Sequence, residues 1–218
     1  MDPSPSARSQ DACPQDAHPN APHSSLPLVL ASASPRRRAL LAQIGLTPDR
    51  IDPPQIDEQP GRRELPPAYV RRMAEEKLAA AAPRNPDCWL LAADTVVTLG
   101  RRILPKAESE AEAAACLALL SGRRHRVLGA IAVLTPDGRR ATRQVTTRVA
   151  MKRLSREETA AYLASGEWSG KAGGYAIQGR AGAFVPWIEG SYSNVVGLCL
   201  AQTHSLLLGL GYRPDSDA

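Results

Sequence analysis

The sequence predicts an α/β protein built on a mixed sheet, and two observations lead to this fold class. Short apolar runs bounded by turn residues, which are typical of buried strands, are interspersed with stretches whose apolar residues recur at helical spacing. In addition, the turn sequence Pro136-Asp137-Gly138 joins two longer strand-like runs. This is a hairpin pattern, so we expect part of the sheet to be antiparallel rather than regularly interleaved with helices.

The ordered part of the chain is expected to begin with a strand at residues 28–31 (LVLA). The preceding residues, 1–26, are rich in Pro, Ser, Ala and Asp and contain almost no large apolar side chain. This composition predicts a disordered N-terminal tail. We therefore expect a single domain over residues 27–212 and a short C-terminal tail at 213–218.

Two helices separated by a long connection are expected next. Pro35 suits the first turn of the first helix, because its missing N–H would be unpaired there anyway. Residues 47–66 are polar and proline-rich, which predicts the connection. Pro67 can open the second helix, in which side chains over residues 69–78, Lys77 among them, recur at helical spacing.

The second half of the chain is expected to alternate helices with the hairpin. Ser109 and Ser155 each begin a capping-box pattern, which predicts a helix after each serine. Residues 125–135 and 139–151 are the two predicted strands of the hairpin, and a last helix is expected at 201–210.

Composition and charge argue against several classes of function. The net charge of +5 suits an anionic partner, but the basic residues are dispersed and aromatic residues make up only 4%. We therefore expect no nucleic-acid partner. The four cysteines and four histidines show no metal-ligand or redox spacing. No apolar run approaches the roughly 20 residues of a membrane span, and no signal-peptide pattern is present, so we expect a cytoplasmic protein that does not bind membranes.

Residues 32–37 (SASPRR) have the features of a phosphate-binding loop. A loop between a strand and a helix start presents free backbone N–H groups and the positive end of the helix dipole. Two serines add donors, and Arg36 and Arg37 supply planar guanidinium groups that match phosphate oxygens. A helix capped by Ser34, with arginines on a solvated face, explains the same residues equally well.

A second set of candidates is acidic. Residues 88–92 (CWLLA) predict a buried strand that ends at Asp94 and Thr95, and ligands of open α/β sheets gather beyond such strand ends. An acid there can bind a hard cation or activate water, although an aspartate that starts a turn fits the same pattern. If Glu58 or Glu76 converged with Asp94, the carboxylates would form a magnesium site.

Surface charge is the alternative for these glutamates, and we prefer it for Glu75 in the same helix. The remaining candidates are Lys106, after a short predicted hairpin, and Lys171 and Gln178 in a glycine-rich segment. Lysines act as point charges on phosphate oxygens, and a glutamine can read the edge of a base. Isolated lysines are usually solvated, so neither lysine is decisive alone.

Taken in order, these segments resemble the Maf family over residues 28–210. The matching segments are LASASPRRRALL at 30–41, ADTVV at 93–97, Lys106, SGRRHRV at 121–127, GKAGGYAIQG at 170–179 and GSYSNVVGL at 190–198. Six separated segments in the correct order are far more specific than any one of them.

The resemblance implies an elongated mixed sheet flanked by helices, with a central cleft between two lobes, often in a homodimer. It also implies hydrolysis of a nucleoside triphosphate to the monophosphate and pyrophosphate with a divalent metal cation, Mg²⁺ or Mn²⁺. The pattern around Lys171 and Gln178 is similar to that of the dTTP/UTP pyrophosphatase group, some members of which act on modified pyrimidine nucleotides.

The resemblance also implies roles for individual residues. Asp94 matches the family's proton acceptor. The positions for substrate specificity match Arg37, Thr95 and Gln178. Polar positions that line the family's cleft match Ser32, Arg36, Glu58, Lys77, Lys106 and Lys171.

These matches lead to a mechanistic hypothesis. Arg36, Lys106 and the loop N–H groups hold the β- and γ-phosphates, and Asp94 and Glu58 bind the metal. Asp94, Lys106 and Glu58 form the catalytic set, in which Asp94 orients or deprotonates the water that attacks the α-phosphorus. Two alternatives stay open, a 7-methyl-GTP pyrophosphatase and a non-catalytic regulator that binds nucleic acid or a cell-division partner.

Overall fold

A mixed sheet with helices on both faces forms the centre of the computed structural model, which describes residues 26–213. The tails predicted at 1–26 and 213–218 lie outside the described residues, apart from Leu26 and Arg213. Leu26 packs against the core, so the folded part includes this residue. Over residues 26–213, no helix combines the length and the apolar character that crossing a membrane requires.

The elements follow one another much as the sequence predicts. The helices are α1 (Pro35–Ala42), α2 (Pro66–Ala81), α3 (Glu110–Leu120), α4 (Arg156–Ala164), α5 (Tyr192–Val196) and α6 (Leu200–Leu210). The strands are β1 (Leu28–Leu30), β2 (Arg50–Ile51), β3 (Trp89–Leu99), β4 (Arg102–Leu104), β5 (Lys106–Ala107), β6 (Arg124–Leu134), β7 (Arg140–Ala150), β8 (Lys171–Ala172) and β9 (Trp187–Glu189).

The main sheet has the order β2-β1-β3-β6-β7-β9, and β4 pairs with the end of β3. β1 runs parallel to both β2 and β3, whereas β3, β6, β7 and β9 are successively antiparallel. The mixed sheet and the hairpin around Asp137 are therefore confirmed. β3, β6 and β7 are 11 residues each, so the sheet is long in the strand direction.

Each face of the main sheet carries its own apolar core. The buried stripe of α2, which includes Val70, Met73 and Leu78, packs on one face against alternate residues of β3 and β6. α1 and α6 cover the other face with side chains such as Leu41 and Leu207. The period of 2 in the strands sends neighbouring residues to opposite cores, which explains why the strand sequences are almost continuously apolar.

A second lobe packs against the part of the main sheet where β4 pairs with β3. It contains α3, α4 and the small antiparallel sheet of β5 and β8, around buried side chains such as Leu117 and Tyr162. Both predicted capping boxes are confirmed. The hydroxyls of Ser109 and Ser155 accept a hydrogen bond from the backbone N–H three residues later, and the side chain of the glutamate at that position accepts one from the backbone N–H of the serine. The lobe lies across a cleft from α1 and α2.

The structure corrects the prediction that the strand after residue 88 ends at Asp94. β3 continues through Asp94 to Leu99, because β6 pairs with it in register from Leu90 to Thr98. Asp94 is thus in the middle of a long strand. The short elements β2 and α5 were also not predicted, since two and five residues are too few to show a period.

Candidate active site

The candidate site lies where one edge of β3 is free. β1 pairs with β3 only as far as Leu91, and β4 begins to pair with it at Val97. Within residues 26–213, positions 92–96 have no strand partner on that side. The cleft at this edge has a volume of about 390 Å³, within the range of about 300–1,000 Å³ that is usual for small-molecule sites.

Ten of the candidate site residues named from the sequence line this cleft. The loop after β1, the start of α1, one residue of α2 and three of β3 form one wall, and β5 and the segment around β8 form the other. The long connection before α2 contributes a glutamate. The ten residues are Ser32, Arg36, Arg37, Glu58, Lys77, Asp94, Thr95, Lys106, Lys171 and Gln178.

A network of ion pairs joins the acids of the cleft. Nζ of Lys77 lies 2.7 Å from Oδ1 of Asp94 and 2.7 Å from Oε1 of Glu58. Nζ of Lys106 lies 2.6 Å from the other oxygen of Glu58, Oε2. Lys77 and Asp94 are buried, and Lys106 is half exposed. The network therefore runs from the interior to the cleft mouth and fixes both carboxylates around one ammonium group.

Lys77 reaches this place because it belongs to the buried stripe of α2. A lysine among apolar residues is rarely buried without a partner, so its position in the stripe is a signal of function that the sequence already contains. Tyr69, on the same stripe, donates its hydroxyl proton to the backbone carbonyl of Glu58 at 2.7 Å. Burial, then the charges of Asp94 and Glu58, raise the pKa of Tyr69 to about 12, which keeps this donor protonated.

The ion pairs of Glu58 predict a pH dependence of stability. Partial burial acts to raise the pKa of Glu58, but the hydrogen bonds from Lys106 and Lys77 outweigh it and lower the pKa from 4.5 to about 2. The ionised form therefore stabilises the fold fully above about pH 4.5, and this contribution is lost as the pH falls towards 2. We expect Glu58→Gln to have a lower free energy of unfolding than the unaltered protein at pH 7, and this difference should shrink below about pH 4.5. Urea unfolding at a series of pH values measures it.

The exposed residue Glu108 provides the control for this measurement. Glu108→Gln changes a glutamate outside the cleft, and its free energy of unfolding should be close to that of the unaltered protein at every pH. If the loss of unfolding free energy in Glu58→Gln stayed constant from pH 7 to pH 3, the role assigned to the ion pairs would be contradicted.

Arg37 is a buried guanidinium group that ties three parts of the site together. Its Nε donates to the carbonyl of Gly197 at 2.9 Å, and one terminal nitrogen donates to Oγ of Ser32 at 2.9 Å. The other lies 3.5 Å from Oγ1 of Thr95, at the limit of a hydrogen bond. The Thr95 hydroxyl also donates to the Gly197 carbonyl, at 3.1 Å. Arg37 and Thr95 thus share one backbone acceptor.

Arg36 and Lys171 place unneutralised positive charge in the cleft. The guanidinium group of Arg36 forms no hydrogen bond or ion pair with any of residues 26–213, and burial lowers its pKa. Burial and then the charge of Arg36 lower the pKa of Lys171. Within residues 26–213, Nζ of Lys171 donates only to the carbonyl of Ser169. Two cations that repel each other across an open cleft favour an anion between them. Ser34 is the N-cap residue of α1, as the alternative interpretation predicts, although its hydroxyl makes no cap bond. The other part of that interpretation is wrong for Arg37, which is buried rather than on a solvated face.

The structure also separates the acids that the sequence left undecided. Glu75 pairs with Arg71 and Glu76 pairs with Arg72 on the outer side of α2, and neither lines the cleft. The surface interpretation of Glu75 is confirmed, and it holds for Glu76 as well. The site residues that the sequence analysis missed are Tyr69 and Gly197, which act through a backbone carbonyl or a second residue and have no local signal.

The acids of the cleft fit a cation that arrives with its substrate. Among residues 26–213, no three His, Cys, Asp or Glu side chains gather to hold a metal ion. Asp94 and Glu58 supply two carboxylates, and Oδ2 of Asp94 receives no hydrogen bond from the described part of the chain. Magnesium is commonly bound by one or two carboxylates together with substrate phosphates and waters. This donor set fits that pattern and does not fit an all-protein metal cage.

Comparison with known families supplies the family of this chain. Residues 27–210 match the family described as Maf-like protein. The chain belongs to the Maf family. The resemblance seen in the sequence is therefore confirmed.

This Maf protein has close curated relatives. It is 64% identical over 194 residues to the dTTP/UTP pyrophosphatase of Rhodospirillum rubrum, covering 89% of this chain and 92% of that protein. It is 60% identical over 187 residues to the dTTP/UTP pyrophosphatase of Caulobacter vibrioides, covering 86% and 97%. Among solved structures, a HAM1 protein from Coxiella burnetii aligns with a TM-score of 0.45 and 18% identity, over 84% of this chain and 99% of that one.

Proposed function

We propose that this chain is a nucleoside triphosphate pyrophosphatase that hydrolyses dTTP or UTP to the monophosphate and pyrophosphate. One observation carries the proposal: the cations and the carboxylate pair predicted from separate motifs line a single cleft. The two relatives named dTTP/UTP pyrophosphatase support the choice of nucleotide.

The positive charges of the cleft are the groups that hold the triphosphate. Arg36 and Lys106 lie on opposite walls, and the N–H groups of the loop at residues 32–34 lie at the start of α1. Arginine, lysine and helix-start N–H groups all bind phosphate oxygens. Lys171 adds a further cation on the wall of Lys106. We assign the β- and γ-phosphates to this region.

Asp94 is the group that activates water. Its Oδ1 is held by Lys77 at 2.7 Å, which leaves Oδ2 to orient a water molecule and accept its proton. The water oxygen then bonds to the α-phosphorus, and the bond from that phosphorus to the α,β-bridging oxygen breaks in line, so that pyrophosphate leaves. Asp94 and Glu58 would hold a divalent cation, Mg²⁺ or Mn²⁺, whose chemistry is to neutralise charge on the phosphate oxygens.

Selection of the nucleotide is assigned to residues from both walls of the cleft. Arg37 and Thr95 converge on the Gly197 carbonyl, and Gln178 lies exposed on the facing segment. The amide of Gln178 offers both a donor and an acceptor, which suits recognition of a base edge. Dimerisation, a cytoplasmic location and the tails at 1–26 and 213–218 stay predictions.

The proposal is tested by measuring pyrophosphate release from a panel of nucleotides with Mg²⁺ or Mn²⁺. We expect the highest kcat/KM for dTTP and UTP, with release that stops when the metal is chelated. Preference for 7-methyl-GTP would keep the enzyme class and change the substrate. Salt-sensitive DNA binding without any pyrophosphate release would overturn the proposal in favour of a regulator.

A further inference from the structure

The short helix α5 connects the main sheet to the cleft. The residue that follows it, the C-cap Gly197, has a carbonyl that accepts from Nε of Arg37 at 2.9 Å and from the Thr95 hydroxyl at 3.1 Å. A single backbone oxygen thus sets the position of two side chains that line the cleft. A five-residue helix is not stable by itself, so its anchor to the sheet decides where that oxygen lies.

Asn194 is this anchor. Its side chain is buried, and Nδ2 donates to the carbonyl of Val127 at 3.2 Å and to Oγ1 of Thr147 at 3.1 Å. These acceptors lie on β6 and β7, so one amide bonds α5 to two neighbouring strands. The Thr147 hydroxyl in turn donates to the carbonyl of Ser191, at the start of α5. Asn194 precedes Gly197 by three residues.

The absence of a side chain at Gly129 leaves space on the sheet for the Asn194 amide. A Cβ at residue 129 would lie 2.0 Å from Oδ1 of Asn194, a distance that no two such atoms can keep. Gly129 is also the cross-strand partner of Thr95 in the pairing of β3 with β6. The absence of a side chain at this one position lets α5 lie directly beside Thr95.

We propose that Asn194 is a positioning residue for nucleotide selection. By bonding α5 to β6 and β7 above Gly129, it holds the Gly197 carbonyl at the point where Arg37 and Thr95 converge. The inference rests on the proposed function, in which Arg37 and Thr95 select the nucleotide. Asn194 itself does not line the cleft, so its effect passes through the Gly197 carbonyl.

The test compares the selectivity of Asn194→Ala with that of the unaltered protein. The readout is the ratio of kcat/KM for the preferred pyrimidine nucleotide to kcat/KM for ATP, together with the thermal midpoint. We expect the ratio to fall about tenfold, since a displaced contact group loses discrimination. An unchanged ratio, with only a lower midpoint, would overturn the positioning role.

Asn85 offers a matched control for the loss of a buried asparagine. Its Nδ2 donates to Asp52 Oδ2 at 2.6 Å and to the Ala81 carbonyl at 2.8 Å, and none of these three residues lines the cleft. Asn85→Ala should lower the thermal midpoint and leave the selectivity ratio unchanged. If both variants lowered the ratio equally, the effect of Asn194 would be one of general stability and the proposal would be wrong.

A double-mutant cycle with Gly129→Ala tests the route of the effect. Gly129→Ala should displace the Asn194 amide, because the added Cβ would occupy its space, and should lower the selectivity ratio. The double variant Gly129→Ala/Asn194→Ala should be no less selective than Asn194→Ala alone, because the side chain to be displaced is gone. Additive losses would contradict the proposal.

Failure of the proposed function is distinguishable from failure of this inference. If the unaltered protein released no pyrophosphate from any nucleotide, the proposed activity would be wrong. Selectivity would then be measured as the ratio of nucleotide Kd values by calorimetry. A similar fall of the Kd ratio in Asn194→Ala would support the positioning role, and an unchanged Kd ratio would overturn it.

Discussion

Asp94→Asn is expected to reduce kcat by about 10²–10⁴-fold, the contribution usual for a positioned acid or base, and nucleotide binding should persist. The asparagine amide has nearly the same shape as the carboxylate but cannot accept a proton from water. Lys77 keeps its second partner, Glu58, so the buried ammonium group stays paired and the fold should survive. The measurements are pyrophosphate release at saturating dTTP and calorimetric binding of the same nucleotide.

Asp57 provides the matched control for this substitution. It is exposed, lies next to Glu58 in the sequence and does not line the cleft. Asp57→Asn should therefore keep kcat within about twofold of the unaltered protein, as for a surface change. Near-normal turnover in Asp94→Asn would remove Asp94 from the catalytic set, whatever its effect on binding.

Arg37→Lys is expected to reduce kcat/KM for dTTP by about 10²-fold, even though it retains a positive charge, because a small misplacement in the site costs that much. A lysine ammonium cannot contact Ser32, the Gly197 carbonyl and Thr95 together in the planar arrangement of a guanidinium group. Losing hydrogen bonds at this buried position should also lower the free energy of unfolding by about 1–3 kcal/mol. Steady-state kinetics and urea unfolding measure the two effects.

The neighbouring residue Arg38 is the control for Arg37. It occupies the next position of α1 but is exposed. Arg38→Lys should leave both kcat/KM and stability unchanged, since the side chain points to solvent. If Arg37→Lys behaved like Arg38→Lys, the buried guanidinium group would be dispensable and the assignment of Arg37 to nucleotide selection would be wrong.

Much of the fold could be predicted because its local signals are strong. The hairpin around Asp137, the capping boxes at Ser109 and Ser155, and the start of α1 at Pro35 each depend on a few neighbouring residues. Such turn and cap signals act through backbone geometry within one turn of the chain. The two- and five-residue elements β2 and α5 carry no such signal.

Local sequence patterns do not by themselves specify the candidate site. Taken alone, the loop at residues 32–37 is indistinguishable from a capped helix with solvated arginines. The order of separated motifs, including Lys106 and the Lys171 segment, made a phosphate site the better interpretation. The structure then gathers the predicted residues into one cleft, which is a property of the whole chain.

By itself, the sequence determined the kinds of the longer elements, the chemical types of the site residues and the place of Lys77 on the apolar stripe of α2. The last followed because a helical stripe with a period of 3.6 places residue 77 with the apolar positions of α2. These properties depend on residues that are neighbours along the chain or one helical turn apart, so they can be read before any tertiary contact is known.

Tertiary structure alone decided how the residues of the cleft meet. Asp94 lies in mid-strand beside a free edge because β1 pairs with β3 only to Leu91 while β6 continues past it. Lys77 joins Asp94 to Glu58, and the Gly197 carbonyl joins Arg37 to Thr95, across separations of up to 160 residues. A local pattern specifies which face a side chain takes but not which partner it finds there. Strand register and packing between distant segments make that choice.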